Sequence, residues 1–375
     1  MTGEDHATRR HVWAKATGAD GTCTRGKSSS GTRVAWIDAT RGICVIGVVL
    51  MHVCVSLYLE EVGHAGSAAV WQELIDEMTP FRIPALALVS GILLSKRIRQ
   101  GWSSTALRRS TTTSAWLYTV WLTMFLLFAL ATGEGVWTQQ VPDVQSYLQE
   151  LVLPRTVLWY IFALAVWAAL LSSLRNVEPR LVFGLLVAVS IASFSFAGTP
   201  GFDHYISIAQ YAFMFAAGVY WRHAIVERTE RGPVSWTAML ALAVFAFCWL
   251  LNEFAYRTDV SIAVSVPQRL SAAFLLLVGA RMLCGITVIR APLVWIGRRT
   301  LPIYVLHPLL IDSIRLIPGH GMWMDHDVIR PVWWPLLVTV AITLVAAAFY
   351  ELARRTPARI LFEVPQWLMR RVTGR

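Results

Sequence analysis

The sequence predicts an all-α, polytopic integral membrane protein with about ten transmembrane helices and both termini in the cytoplasm. Apolar residues make up 56% of the 375 residues and charged residues only 15%, whereas soluble domains are roughly 25% charged. A soluble chain of this size could not hide so much apolar surface. The apolar residues also form long continuous runs, which are typical of membrane helices rather than of the alternating strands of a membrane β-barrel.

Three segments are expected along the chain. Residues 1–33 are polar and basic and lack the apolar stretch of a signal peptide, so they predict a disordered cytoplasmic tail. Residues 34–352 hold the transmembrane domain, and residues 353–375 form a second basic tail that fits either an interfacial segment or a simple solvated one. The apolar runs that predict spans are 36–57, 78–95, 113–132, 157–174, 181–197, 208–221, 236–254, 267–284, 299–316 and 332–350.

The basic residues divide the loops between two sides. Of the 33 Lys and Arg residues, 26 fall in the two tails and in alternate loops. The loop between the first two spans, residues 58–77, has no Lys or Arg and carries five acidic residues. Because cytoplasmic loops are enriched in Lys and Arg, this alternation predicts ten spans with both termini inside. The net charge of +10 is then a topology signal, and no nucleic-acid partner is expected.

The cysteines predict neither a disulfide framework nor a metal site. Their number, five, is odd, and none has C-x-x-C spacing. His320, Asp325, His326 and Asp327 cluster in the last outer loop, which we interpret as an ordinary solvated loop rather than as a metal site. No metal is expected.

Ionisable side chains inside the first span are the main functional clue, since a charge in the bilayer is costly unless it is paired or faces a wet cavity. The span contains Asp38, Arg41 and His52. Eleven residues turn a helix about 20° beyond three full turns and advance it about 16 Å, so Arg41 and His52 share a face. This stripe predicts a wet groove with His52 as a general base and Arg41 as an anion contact. A salt bridge of Asp38 with Arg41, and an interhelical hydrogen bond of His52, are the structural alternatives.

Five segments resemble the membrane-bound acyltransferase-3 family, in the family's order. The first span carries D-x-x-R-G and an Arg and a His separated by ten residues. The later segments are FRIPALALVSG (81–91), LWYIFAL (158–164), YAFMFAAGVYWR (211–222) and IGRRTLPIYVLHPLL (296–310). Together these segments extend over about residues 34–350.

The resemblance implies a ten-helix O-acyltransferase in a bacterial plasma membrane. Members transfer an acyl group, often acetyl, from acyl-CoA to a hydroxyl of a carbohydrate or glycolipid. The family's Arg and His correspond to Arg41 and His52, which are the implied catalytic residues. A histidine suits removal of the hydroxyl proton near neutral pH. The chain departs from the family at Thr300, where Ser is usual. The oligomeric state is not indicated.

Cations in the loop after the second span are the predicted contacts for the phosphates of CoA, because the planar fork of arginine suits phosphate. The family often has two arginines separated by two residues here. This chain has Lys96-x-x-Arg99 instead, with two further arginines downstream. The predicted donor-binding residues are Arg97, Arg99, Arg108 and Arg109.

Six further residues are predicted to contact substrate: Asp38, Arg82, Trp159, Tyr160, Tyr304 and His307. Arg82 alternatively extends to the outer headgroups, and Trp159 and Tyr160 alternatively belong to an interfacial aromatic belt. His307 has a depth similar to that of His52, so it is a second acid/base group or polar lining unless it makes only a helix–helix hydrogen bond.

Two other functions fit part of the pattern. A transporter or flippase of an anionic or sugar-linked solute would suit ten spans with buried charges, but it predicts an inverted repeat that the sequence does not show. A non-catalytic scaffold leaves the stripe of Arg41 and His52 unexplained.

Overall fold

The computed structural model describes residues 34–62, 66–133, 140–199, 201–254, 259–318 and 330–374, so the predicted tail 1–33 lies outside the described residues. Residues from Ala35 onward form one compact unit. All regular elements in the described ranges are helices. They are α1 (Ala35–Val53), α2 (Leu59–Val62), α3 (Ser67–Glu77), α4 (Thr79–Gln100), α5 (Thr105–Thr132), α6 (Val144–Glu150), α7 (Trp159–Ser173), α8 (Pro179–Ala192), α9 (Asp203–Tyr220), α10 (Arg222–Glu230), α11 (Trp236–Phe254), α12 (Asp259–Leu283), α13 (Thr287–Gly297), α14 (Thr300–Arg315), α15 (Arg330–Ala353) and α16 (Gln366–Thr373).

The described ranges contain seven helices that are long and apolar enough to cross a membrane. They coincide with seven of the ten predicted spans, which makes the chain a multi-pass membrane protein by length and composition. The other three predicted spans, 157–174, 208–221 and 299–316, are helical as α7, α9 and α14, but each of these helices is too short or too polar to meet the same criterion. The count of ten and the cytoplasmic placement of the termini stay predictions.

Helix α1 lies at the centre of the bundle. It contacts α4, α12, α13, α14 and α15, and α4 in turn contacts α7 and α9. Any side chain on the inner faces of α1 is therefore surrounded by helices on several sides, which is the environment that the ionisable residues of the first span require.

Two glycine-based crossings bring helices unusually close. A Cβ atom at Gly91 of α4 would lie 2.1 Å from the carbonyl oxygen of Phe215, and one at Gly218 of α9 would lie 2.1 Å from that of Leu88. At the second crossing, a Cβ at Gly42 of α1 would lie 2.5 Å from the carbonyl oxygen of Leu293 on α13. Small residues are what allow membrane helices to approach this closely, so Gly42, Gly91 and Gly218 have a packing role.

The outward faces of several helices are apolar. Leu242 and Phe247 on α11, and Val340 and Leu344 on α15, are all more than half exposed. A helix that is apolar on its exposed face as well as its buried face is typical of a membrane span. These faces fit the contact with a lipid bilayer that the composition predicts.

Candidate active site

A pair of histidines lies in the interior of the bundle. The rings of His52, near the end of α1, and His307, in the middle of α14, have centroids 5.1 Å apart and an interplanar angle of 36°. Both are buried, with 8% of His52 and none of His307 exposed. The structure thus brings together two residues that are 255 positions apart in sequence and that the sequence assigned to a similar depth.

The backbone around each histidine departs from a plain α-helix. A π-helical turn, Cys54–Tyr58, follows two residues after His52, and such turns are frequent at functional sites. Pro308 follows His307 inside α14, and a proline removes one backbone hydrogen bond from a helix. The local sequence therefore loosens both helices next to the paired rings.

A contact with a backbone carbonyl favours one tautomer of His307. Its Nδ1 lies 3.3 Å from the carbonyl oxygen of Ile303. A carbonyl oxygen only accepts, so this contact is a hydrogen bond when Nδ1 carries the proton, and a neutral ring then has its lone pair on Nε2. This buried Nε2 has no hydrogen-bond partner among the described residues. His307 therefore presents a proton acceptor inside the bundle.

Tyrosines of α7 and α14 extend the site away from the histidines. The ring of Tyr304 lies 5.8 Å from that of His307 and 6.0 Å from that of Tyr160. The Tyr160 hydroxyl lies 3.0 Å from Ser90 Oγ, and the Tyr304 hydroxyl donates to the carbonyl of Val157. Both tyrosines are buried, so Tyr160 does not face the outside as a member of an interfacial aromatic belt would.

Arg41 contacts the first residue of α14. Its Nη2 donates to Thr300 Oγ1 at 2.6 Å. Thr300 fills the position at which the family usually has serine, and its hydroxyl supplies the same kind of acceptor. The carboxylate of Asp38, almost fully buried, is 3.5 Å from Nε of Arg298. These contacts join the start of α1 to the junction of α13 and α14.

A large basic cavity opens beside Arg41. Its volume is about 890 Å³, and we call it the arginine cavity. Its charged lining residues in the described ranges are Arg41, Arg97, Arg109 and Arg370. None of the described lining residues is acidic, and several are hydroxyl-bearing or apolar. The apolar ones include Leu117, Ile161, Leu164 and Leu301.

Only two of the four predicted donor-binding arginines line the arginine cavity, namely Arg97 and Arg109. Arg99 donates instead to the carbonyl oxygens of Val219 and Tyr220, at 3.2 and 2.8 Å, and so caps the C-terminal end of α9. Arg108 is half-buried, and its Nε has no hydrogen-bond partner among the described residues. The structure gives Arg99 a helix-capping contact and does not bring Arg108 to the cavity.

Arg82 is buried inside the bundle. Its guanidinium donates to the carbonyl of Gly47 at 3.4 Å and to Thr79 Oγ1 at 2.9 Å, which links α4 to α1. Only 7% of the residue is exposed, so it does not extend to lipid headgroups. Its contact at Gly47 lies between Arg41 and His52 along α1.

A second polar cavity of about 480 Å³ is lined by residues around the start of α9, and we call it the His204 cavity. The described lining residues are Gln140, Pro142, Ser146, Arg155, Gly201, Asp203 and His204. It lies at the opposite end of α9 from the arginine cavity. His204 is at the N-terminal end of that helix. The C-terminal end of α9 is capped by Arg99, which is two residues after the cavity-lining Arg97. An 18-residue helix is about 27 Å long, so the two cavities lie at opposite ends of the bundle.

Arg155 is held in the His204 cavity by a buried carboxylate. Glu150 is fully buried, and it accepts hydrogen bonds from Nε of Arg155 at 3.1 Å and from the backbone N–H groups of Arg155 and Thr156. Burial raises the pKa of this carboxyl, and the N–H donors oppose that rise. The position of Arg155 is therefore fixed by the fold.

Trp159 connects the His204 cavity to the tyrosines. Its ring lies 5.7 Å from that of His204, 5.8 Å from Tyr160 and 6.2 Å from Tyr211. The guanidinium of Arg269 lies 5.0 Å from the Tyr211 ring centroid. A continuous set of aromatic and imidazole rings thus runs from the His204 cavity to the histidine pair.

The residues of this arrangement that were not predicted include Asp203, His204, Arg269 and Arg370. Arg269 carried a usable signal, since it is an arginine within the predicted span 267–284. The other three lie in segments that sequence reasoning assigned to a loop or a tail, and nothing in their spacing marked them.

Within the described part of the chain, no group of three or more His, Cys, Asp or Glu side chains is arranged to hold a metal ion. The cluster of His320, Asp325, His326 and Asp327 lies outside the described residues.

The fold and site define a class: a multi-pass, all-helical membrane protein with a buried histidine pair between a basic and a mixed polar cavity. The chain belongs to the acyltransferase-3 family, because the model of that family's acyltransferase domain matches residues 34–351, and the five resembling segments all lie within that range. Family membership identifies the protein as a membrane acyltransferase. Comparisons with curated proteins and with solved structures gave no match.

Proposed function

We propose that the protein transfers an acyl group, acetyl or another short acyl, from acyl-CoA to a hydroxyl of a cell-envelope carbohydrate or glycolipid. It would do so in a bacterial plasma membrane, with both termini in the cytoplasm. Family membership supplies the reaction class. The observation that carries the finer proposal is the buried pair of His52 and His307, which lies between two cavities of different chemistry.

The arginine cavity is the proposed donor site. CoA carries several phosphates, and Arg41, Arg97 and Arg109 provide guanidinium groups suited to them. The apolar lining of the cavity suits the uncharged arm that carries the thioester. Arg41 and His52 are about 16 Å apart along α1, so this arm must extend into the bundle to bring the thioester to the histidines.

The histidine pair is the proposed catalytic centre. A sugar hydroxyl is a weak acid, so it needs a base to accept its proton as it attacks the thioester carbonyl carbon. His52 accepts that proton, a C–O bond forms, the C–S bond breaks, and the proton passes to the departing thiolate of CoA. The Nε2 lone pair of His307 offers a second acceptor beside His52. The buried guanidinium of Arg82 is the proposed stabiliser of the oxyanion.

The His204 cavity is the proposed entry for the acceptor. Its described lining residues include amide, hydroxyl, imidazole, carboxylate and guanidinium groups, which together form hydrogen bonds with sugar hydroxyls as donors and acceptors. The adjacent ring of Trp159 suits stacking against the apolar face of a sugar. Ring contacts connect His204 to the histidine pair through Trp159, Tyr160 and Tyr304, so an acceptor in this cavity approaches the histidines from the end opposite to the donor.

The test is transfer by the purified, lipid-reconstituted protein. Wild-type protein is incubated with radiolabelled acetyl-CoA and a panel of glycans and glycolipids, and we expect label to move to an acceptor. His52→Ala should lower the rate of this transfer by roughly 10²–10⁴-fold while the protein still inserts and folds. His223→Ala is the matched control, because His223 is an exposed histidine on α10. Normal transfer by a well-inserted His52→Ala variant would overturn the assignment.

A further inference from the structure

The C-terminal segment after α15 is built into the fold. The backbone carbonyls of Ile360 and Leu361 accept hydrogen bonds from the indole N–H groups of Trp116 and Trp121 of α5, at 2.9 and 2.8 Å. Phe362 is buried, with its ring 5.4 Å from that of Trp121. These three contacts fix the start of the segment against α5 and so determine where the following helix, α16, lies.

One face of α16 forms part of the wall of the arginine cavity. The lining residues from this helix are Gln366, Met369, Arg370 and Thr373. Their spacing of three, four and seven positions places them on the same side of an α-helix. Arg371, which is next in sequence, points elsewhere: its guanidinium lies 5.8 Å from the ring centroid of Trp367, and it does not line the cavity.

The charge of this cavity points to a polyanionic ligand. Arg370 brings a fourth guanidinium to a cavity that already holds Arg41, Arg97 and Arg109, and no described lining residue is acidic. Like charges around one cavity repel each other, and the repulsion grows as the distance between them falls. A ligand with several phosphates relieves this repulsion and uses the donors that arginine presents.

We propose that α16 is a wall of the donor site and that Arg370 binds a phosphate of the nucleotide part of CoA. The match to the family ends at residue 351, so this contact comes from a segment outside the part of the chain that defines the family. The inference rests on the proposed function, because it assumes that CoA is the ligand of the arginine cavity. It adds a binding residue that the loop after the second span does not supply.

The experiment measures binding of two probes to detergent-solubilised, full-length protein. CoA carries the nucleotide and its phosphates, whereas pantetheine keeps the thiol arm and lacks all phosphates. We expect Arg370→Ala to weaken CoA binding roughly tenfold, which is the lower end of the range for losing one hydrogen bond to a charged group. Pantetheine binding should stay unchanged. Arg371→Ala, the matched control, should change neither. Arg370 is exposed, so its replacement by alanine should leave folding intact.

Each other outcome has a defined meaning. Unchanged CoA binding by Arg370→Ala, or an equal loss for CoA and pantetheine, overturns the role of Arg370 and leaves the donor assignment standing. Wild-type protein that binds CoA no more tightly than pantetheine overturns the donor assignment and this inference together. Partial restoration of CoA binding by Arg370→Lys supports a charge contact, since lysine keeps the charge and loses the fork.

Discussion

The two ends of the helix bundle differ in charge. The arginine cavity gathers four guanidinium groups with no acidic residue among its described lining residues, whereas the His204 cavity combines Arg155 with Asp203 and with neutral polar groups. The first arrangement suits a ligand with several negative charges, and the second suits a neutral ligand rich in hydroxyls. Under the proposed function, the two substrates would enter from opposite ends and meet at the histidine pair between the cavities.

The largest expected effect comes from the histidine pair, which lies between the two cavities. His307→Ala should lower kcat by roughly 10²–10⁴-fold, the usual contribution of a positioned acid or base, because it removes the proton acceptor beside His52. The double variant with His52→Ala should lose no more than His52→Ala alone, since residues that act as a unit are non-additive. Single-turnover transfer of a radiolabelled acyl group measures both. Multiplied losses in the double variant would show that the two histidines act separately.

A second histidine variant distinguishes chemistry from packing. His307→Asn keeps a polar side chain that reaches the Ile303 carbonyl but lacks a basic nitrogen. It should be as inactive as His307→Ala while unfolding at nearly the wild-type temperature. Activity close to that of the wild type would assign His307 a purely structural role.

The sequence predicts the centre of the molecule better than its ends. Arg41 and His52 follow from helix geometry, since charges within an apolar span are few and their angular positions are fixed by the rise and turn of the helix. The similar depths of His52 and His307 permit a shared cavity, but their pairing also requires α1 and α14 to be neighbours. The sequence pattern does not show which helices are neighbours. It therefore does not show that Arg370 and Arg97 line one cavity while Arg99 caps α9.

The predicted spans that fall short of the membrane criterion teach a related lesson. Helices α7, α9 and α14 carry Tyr160, His204 and His307. Helices α7 and α14 fall short of the criterion because they have only 15 and 16 residues, whereas α9 has 18 residues and falls short in hydropathy. Polar and ionisable side chains lower the hydropathy of a helix, and they are retained in a membrane where they face the protein interior. In α9, the polar residues that weaken the span signal include His204, which lines a cavity.

The next largest effect concerns the close contact between α1 and α13 at Gly42, next to Arg41. Gly42→Ala should lower the stability by about 1–3 kcal/mol, the usual cost of overpacking, because the new Cβ would lie 2.5 Å from the Leu293 carbonyl oxygen. Gly184→Ala, in α8 with no neighbouring atom within 4 Å of the added Cβ, should instead raise stability by roughly 0.5–1 kcal/mol. Thermal unfolding in detergent measures both. Equal shifts in the two variants would contradict the close approach of α1 and α13.

A smaller, more selective effect is expected at the mouth of the donor site. Arg41→Lys keeps the positive charge but loses the planar fork that donates to Thr300 and reaches the arginine cavity. It should raise the KM for acyl-CoA about tenfold, which corresponds to roughly 1.4 kcal/mol, and leave the KM for the acceptor unchanged. Arg180→Lys, at an exposed position at the start of α8, is the control. An equal rise in both KM values would contradict a donor-specific role.

The smallest expected effect concerns the His204 cavity. Asp203→Asn removes one charge from the His204 cavity but keeps a side chain that hydrogen-bonds, so it should raise the KM for the acceptor only a few-fold, in line with the loss of one modest hydrogen bond. The KM for acyl-CoA should not change, because Asp203 starts α9 and the arginine cavity lies near the other end of that helix. Glu253→Gln, an exposed neutralisation on α11, controls for overall charge. A change in donor KM with no change in acceptor KM would reverse the assignment of the two ends.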